Sequence, residues 1–244
     1  MNGRLAALLF AAFAVACTEH SERTAFQVGE HRIEVMVPAG WQALDHGRQL
    51  KIRHEERELI LLDLGAVRPE GFRAETEAAR ALWRSGRDDE ARTRLWELPL
   101  RELASAVLSA PRGTPYDKVA GDFDRLFATI AAMKPAPIEE IVEDALPRLG
   151  HEEHRREVKS RQVTKVDGRE AMEVATWMTL THSDPRCLMV AVNGGRALAL
   201  RSDRCDGVEA EAFEEVLLSL HFTDASRKKI ACVPGRVLCP IAQT

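Results

Sequence analysis

Hydrophobic periodicity changes twice along this chain, and that double change constrains the fold more than any motif does. Residues 26–64 follow a strand period. Phe26 and Val28 alternate with polar neighbours, Gly29-Glu30 permits a turn, and Ile33, Val35 and Val37 recur every second residue until Pro38 stops pairing. Trp41 follows as a large apolar anchor after the turn Pro38-Ala39-Gly40. Leu50 and Ile52 mark another strand, His54 to Arg57 makes a polar turn, and Leu59 to Leu64 is apolar on both faces apart from Asp63, as in an interior strand.

From Phe72 to Leu146 the period is helical. Ala78, Ala81, Leu82 and Ser85 share a face that Gly86 ends, and Ala91, Leu95 and Leu98 share the next, which Pro99 interrupts. Tyr116, Ala120, Phe123, Phe127 and Ile130 form a third face; Ile138, Ile141, Val142 and Ala145 form a fourth, with Pro135 and Pro137 between them. Strands return as two hairpins. Val158 to Val166 and Arg169 to Leu180 flank Asp167-Gly168, while Leu188 to Val192 and Ala197 to Leu200 flank Asn193-Gly194-Gly195. A helix from Glu209 to Leu220 and the pair His221-Phe222 close the domain.

Strands, then helices, then hairpins, then one helix predict an α+β antiparallel sheet with packed helices, not a doubly wound parallel sheet. The expected domain spans 25–222, with an enlarged helical excursion at about 72–146 and a tail at 223–244. With 45% hydrophobic residues the chain can fill a core, which argues against disorder. Its 34 Lys and Arg against 38 Asp and Glu give no global positive field, so no nucleic-acid partner is expected.

Residues 1–16 read as an export signal: Arg4 is the positive flank, and Leu5 to Ala16 is a twelve-residue run free of charge. A helix of that length rises about 18 Å, short of the roughly 30 Å hydrocarbon core. Ala14-Val15-Ala16 is a small-x-small cleavage site, and Val15-Ala16-Cys17 resembles a bacterial lipobox, although Ala14 stands where leucine is commonest. The resemblance implies acylation of Cys17 with fatty chains such as palmitate, a lipidated tether at 17–24, and a membrane partner reached through that anchor. Thr18 in place of aspartate implies sorting to the bacterial outer membrane, facing the periplasm or the surface. The alternative is ordinary cleavage and a secreted or soluble periplasmic protein.

Removing Cys17 leaves Cys187, Cys205, Cys232 and Cys239, an even number that export would expose to oxidation. Four cysteines permit three pairings; the most local is Cys187 with Cys205 and Cys232 with Cys239. A zinc site is the alternative, but the spacing lacks C-x-x-C knuckles.

Other chemical signals are sparse. His151 and His154 are weak metal candidates in a charged connector, and two imidazoles need further ligands. His182, Ser183 and Asp184 hold triad residue types without triad geometry. Nucleophile elbow, Walker A loop and dinucleotide fingerprint are absent. No catalytic residue and no cofactor is expected. Trp41 and Trp177 read as core, whereas Trp83 and Trp96, in the excursion, are the interaction candidates.

Four segments carry a family resemblance: Phe26-x-Val28, IEVMVPAGW from Ile33 to Trp41, VDGREAMEV from Val166 to Val174, and AFEEVLLSLHF ending at Phe222. Together they resemble the PsbP-like superfamily, which includes bacterial envelope lipoproteins. That resemblance implies an α/β/α sandwich used for binding or assembly, with no shared active-site residues to carry over. Ala81 to Leu95 also resembles one tetratricopeptide helix junction, but a single repeat buries no repeat core, so a plain helical hairpin is expected. The functional expectation is a non-enzymatic envelope lipoprotein that binds or assembles with another envelope protein. A periplasmic hydrolase or metal-dependent enzyme, and a small-ligand carrier, are the alternatives.

Overall fold

The Leu59 to Leu64 run, apolar on both faces, becomes the strand around which the layers assemble. In the computed structural model, residues 22–99, 101–149, 156–178, 185–202 and 204–223 are described. β1 (Glu22–Val28) pairs antiparallel with β2 (His31–Val37), which also takes β10 (His221–Phe222), giving a three-stranded sheet. The second sheet has seven strands in the order β3-β4-β5-β9-β8-β7-β6, and every neighbouring pair is antiparallel. These are β3 (Gln42–Asp45), β4 (Gln49–His54), β5 (Arg57–Ala66), β6 (Arg156–Val166), β7 (Arg169–Met178), β8 (Arg186–Asn193) and β9 (Arg196–Ser202).

One face of the large sheet carries Leu50, Ile52, Leu59, Leu61, Met189 and Leu200, which pack against Ile33 and Val35 of β2 and against helix α6 (Gly207–Ser219). The opposite face carries Val174, Leu188, Val190 and Ala199, which α5 (Ile138–Arg148) covers with Ile138, Ile141, Val142 and Ala145. The small sheet and α6, the large sheet, and the helices therefore form three layers, an α+β architecture of antiparallel sheets.

Between β5 and β6 run α1 (Pro69–Arg84), α2 (Asp88–Trp96), α3 (Ser105–Ser109), α4 (Tyr116–Ala132) and then α5. The first four share their own core, built on Phe72, Trp83, Leu95, Phe123, Leu126 and Ile130. The buried face of α1 differs from the one that periodicity predicts: Phe72, Glu75, Thr76, Ala79 and Trp83 are inward, while Ala81 and Ser85 are exposed. The expected face followed alanines, which fit either side of a helix, and two of the true inward residues are polar. Trp83 is accordingly not an interaction residue. It is 2% exposed, with its edge against Phe123 at 5.9 Å, the Arg92 guanidinium 4.6 Å from its ring centroid, and its Nε1 donating to Thr114 O at 2.8 Å. In α4, Val119 and Leu126 replace Ala120 and Phe127 on the inward face, and Phe127 lies half-buried beneath Arg80.

Both glycine turns form as expected. Asp167 and Gly168 have φ of 51° and 74°, and Gly194 and Gly195 of 57° and 77°, the positive values that two-residue hairpins require. Cys187 and Cys205 form a disulfide with Cα atoms 5.2 Å apart, tying β8 to the loop ahead of α6. Cys17, Cys232 and Cys239 lie outside the described residues. No described helix is long and apolar enough to cross a membrane.

The β8–β9 turn also docks α1. Gly195 O accepts from Val67 N at 2.9 Å and Arg68 N at 3.1 Å, and a Cβ at Gly71 would stand 2.3 Å from that same oxygen. Backbone on both sides leaves no side chain to yield. Gly71→Ala is therefore expected to destabilise the fold by about 2 kcal/mol, read as a lower urea midpoint; an unchanged midpoint would show that this contact gives way freely.

Candidate functional site

Asp63 is the one charged residue in the apolar run of β5, and it points to the same side as Leu59 and Leu61, into the core between the sheets. Its side chain is 1% exposed. Burial of a carboxylate is tolerable only with charge partners and filled lone pairs. Asp63 has both. Arg196 of β9 donates from Nη2 to Oδ2 at 2.9 Å, Gly65 N donates to Oδ1 at 2.8 Å across a bulge in β5, and Glu30 N approaches Oδ2 at 3.4 Å. The His31 Nε2 lies 3.5 Å from Oδ1 and 3.3 Å from Ala197 O. Facing two acceptors, that nitrogen carries the proton.

A glycine makes room on the far side: a Cβ at Gly29, φ 57°, would stand 2.0 Å from Asp63 Oδ2. Burial alone raises the Asp63 pKa, but the His31 hydrogen bond, the Arg196 charge and the Gly65 amide outweigh it and hold the carboxyl well below the usual range. Burial likewise lowers the Arg196 pKa, and Asp63 and Glu75 more than reverse that.

The charge chain continues into the helices. Arg196 Nη1 also bonds Glu75 Oε1, Glu75 Oε2 accepts from Arg94 Nη1 at 2.8 Å, and Arg94 Nη2 reaches Glu30 Oε1 at 3.5 Å. Gly71 and Glu75 are one turn apart on α1, so the contact with the β8–β9 turn and the ion pair to Arg196 belong to one docking surface. Alternating charges from β5, β9, α1, α2 and the β1–β2 turn thus form a chain of four pairs, which the Glu30 amide closes into a ring at Asp63.

That ring walls a cleft of about 420 Å³ between the excursion and the sheet, with Arg48, Glu90, Thr93, Arg94, Glu97 and Pro99 toward its mouth. Arg48 and Glu97 pair at 3.4 Å with both side chains more than half exposed, so that bridge opens at little cost. Every carboxylate in the inner wall already faces an arginine. The arrangement holds elements in place and offers a polar surface; among the described residues nothing in it pairs a nucleophile with a base.

Trp96, at the end of α2 and next in the chain to Glu97 of the cleft, is 57% exposed. Its ring lies under the Arg101 guanidinium at 5.0 Å, and Arg101 Nε donates to Trp96 O at 3.0 Å. Trp96 and Trp83 are thus separated, one outside and one inside. Trp41 is buried beside His54. His151, His154, His182, Ser183 and Asp184 lie outside the described residues. Among the described residues no group of three or more His, Cys, Asp or Glu side chains converges to hold a metal ion.

Sequence reasoning singles out Asp63 as the exception in an apolar run and misses His31, Glu75 and Arg196. The signal for Asp63 was its isolation in the apolar run; for Glu75 there was none, because the inward face of α1 was assigned to other residues.

No protein-family model matches the chain, and no curated protein matches it. Among solved structures it is similar to the solution structure of cyanobacterial PsbP (CyanoP) from Synechocystis sp. PCC 6803, at 13% identity and a TM-score of 0.38, over 85% of this chain and 96% of that one. The resemblance is distant, and the α+β class rests on the strands and helices themselves.

A depressed carboxylate pKa stabilises the fold above the unfolded value, near 3.9 for aspartate, and that contribution is lost as pH falls below it. Asp63→Asn is expected to lose roughly 3 kcal/mol at neutral pH, with the gap from wild type narrowing below about pH 4. Urea titrations at a series of pH values read this; a gap independent of pH would show that the Asp63 charge is not the stabilising feature.

Proposed function

We propose that the chain is an envelope lipoprotein, exported by residues 1–16 and anchored at Cys17, whose domain is a non-catalytic protein-binding or assembly module. The observation that carries this reading is Trp96: a large aromatic, 57% exposed and held under Arg101, next in the chain to Glu97 of the charged cleft. Tryptophan and arginine dominate the binding energy of protein interfaces. Leu103, 42% exposed, is a second exposed apolar side chain on the following segment. The inner wall of the cleft is fully paired, which suits a scaffold for that surface.

A small-ligand carrier is the second reading. It is favoured by a separate cavity of about 530 Å³ beside α5, within the size range of small-molecule sites.

Tagged protein expressed in its own envelope tests the first reading. Wild type is expected to fractionate with membranes and to recover one reproducible protein partner, Trp96→Ala to lose that partner by about tenfold, and Cys17→Ala to move to the soluble fraction. Recovery of no specific partner, or a partner indifferent to Trp96→Ala, would count against the module; a membrane-bound Cys17→Ala protein would count against the anchor.

A further inference from the structure

The cavity beside α5 has a chemical polarity of its own. Its walls come from Leu64, Val67, Phe72, Met133, Ile141 and Ala145, contributed by β5, the β5–α1 junction, α1, the end of α4 and α5. The segment Pro135-Ala136-Pro137 forms one side. That side is held in place: Arg68 Nε donates to Ala136 O at 3.0 Å while its Nη2 bonds Glu170 at 2.6 Å, and the two prolines fix φ on either side of Ala136. The cavity is preformed, which reduces the ordering cost of filling it.

Glu140 and Asp144 stand one turn apart on α5, and both line this cavity. Both are exposed, and no ion pair among the described residues engages either of them. Glu143, on the same helix, is committed to Arg161. Among the described residues Lys134 is the single cation in the lining, against two carboxylates. An apolar chamber with a net negative lip matches a ligand with an apolar body and one positive head.

We infer that this cavity binds a hydrophobic monocation, its apolar body between β5, α1 and α5 and its ammonium group at the Glu140–Asp144 lip. The inference rests on the carrier reading and adds the charge of the ligand to it. Three probes of equal chain length separate the two: octyltrimethylammonium, octyl sulfate and octanol, titrated calorimetrically below micelle-forming concentrations. The Cys17→Ala full chain is the receptor, since it has no acyl chain to compete. The ammonium probe is expected to bind about tenfold tighter than the sulfate, a difference of about 1.4 kcal/mol. Glu140→Gln with Asp144→Asn should abolish that preference and leave octanol unchanged, whereas Glu139→Gln, exposed on α5 but outside the lining, should leave the preference intact. Equal binding of all three probes, or a preference that survives the double substitution or falls with Glu139→Gln, overturns the inference while the carrier reading stands. Binding of none overturns both.

Discussion

Burying a carboxylate costs several kcal/mol unless its charge and lone pairs are met, so every element that supplies Asp63 with a donor is fixed relative to every other. The donors come from the small sheet through His31 and Glu30, from the large sheet through Gly65 and Arg196, and Arg196 passes the constraint on to Glu75 of α1. Apolar packing drives the layers together without prescribing their register, since it is non-directional. The ionic chain is directional, and it selects one placement of the excursion.

That placement creates both concavities. Leu64, Ala66 and Pro99 line the charged cleft and also the apolar cavity, so the two lie on either side of one junction between β5 and the helices. Shifting α1 would reshape both. The Gly71–Gly195 backbone contact and the Glu75–Arg196 pair hold α1 at that junction from positions one helical turn apart. The charged cleft and the cavity beside α5 thus depend on the same docking.

Local signals made much of the fold readable. Asp167-Gly168 and Gly194-Gly195 marked the hairpins because few residues accept positive φ, and the change of period marked the excursion. The third strand of the small sheet was not readable, because it forms through Phe222 pairing with Ile33, a contact between opposite ends of the domain. β3 was missed because its four residues are mostly exposed and carry little alternation. The interaction role expected for Trp83 failed for a related reason: the burial of α1 is set by partners from α2 and α4 that its own sequence does not name. Asp63 was visible as an oddity, but its meaning lies in Arg196 and Glu75, which are distant in the chain.

Hydrogen exchange on Glu75→Gln tests this account most directly, because it removes the α1 charge that links the excursion to Arg196 and leaves the Asp63–Arg196 pair in place. The account predicts faster exchange of amides in α1 and α2, with β4, β5 and β9 keeping wild-type protection. Protection lost evenly across helices and sheet, or unchanged in α1 and α2, would contradict it.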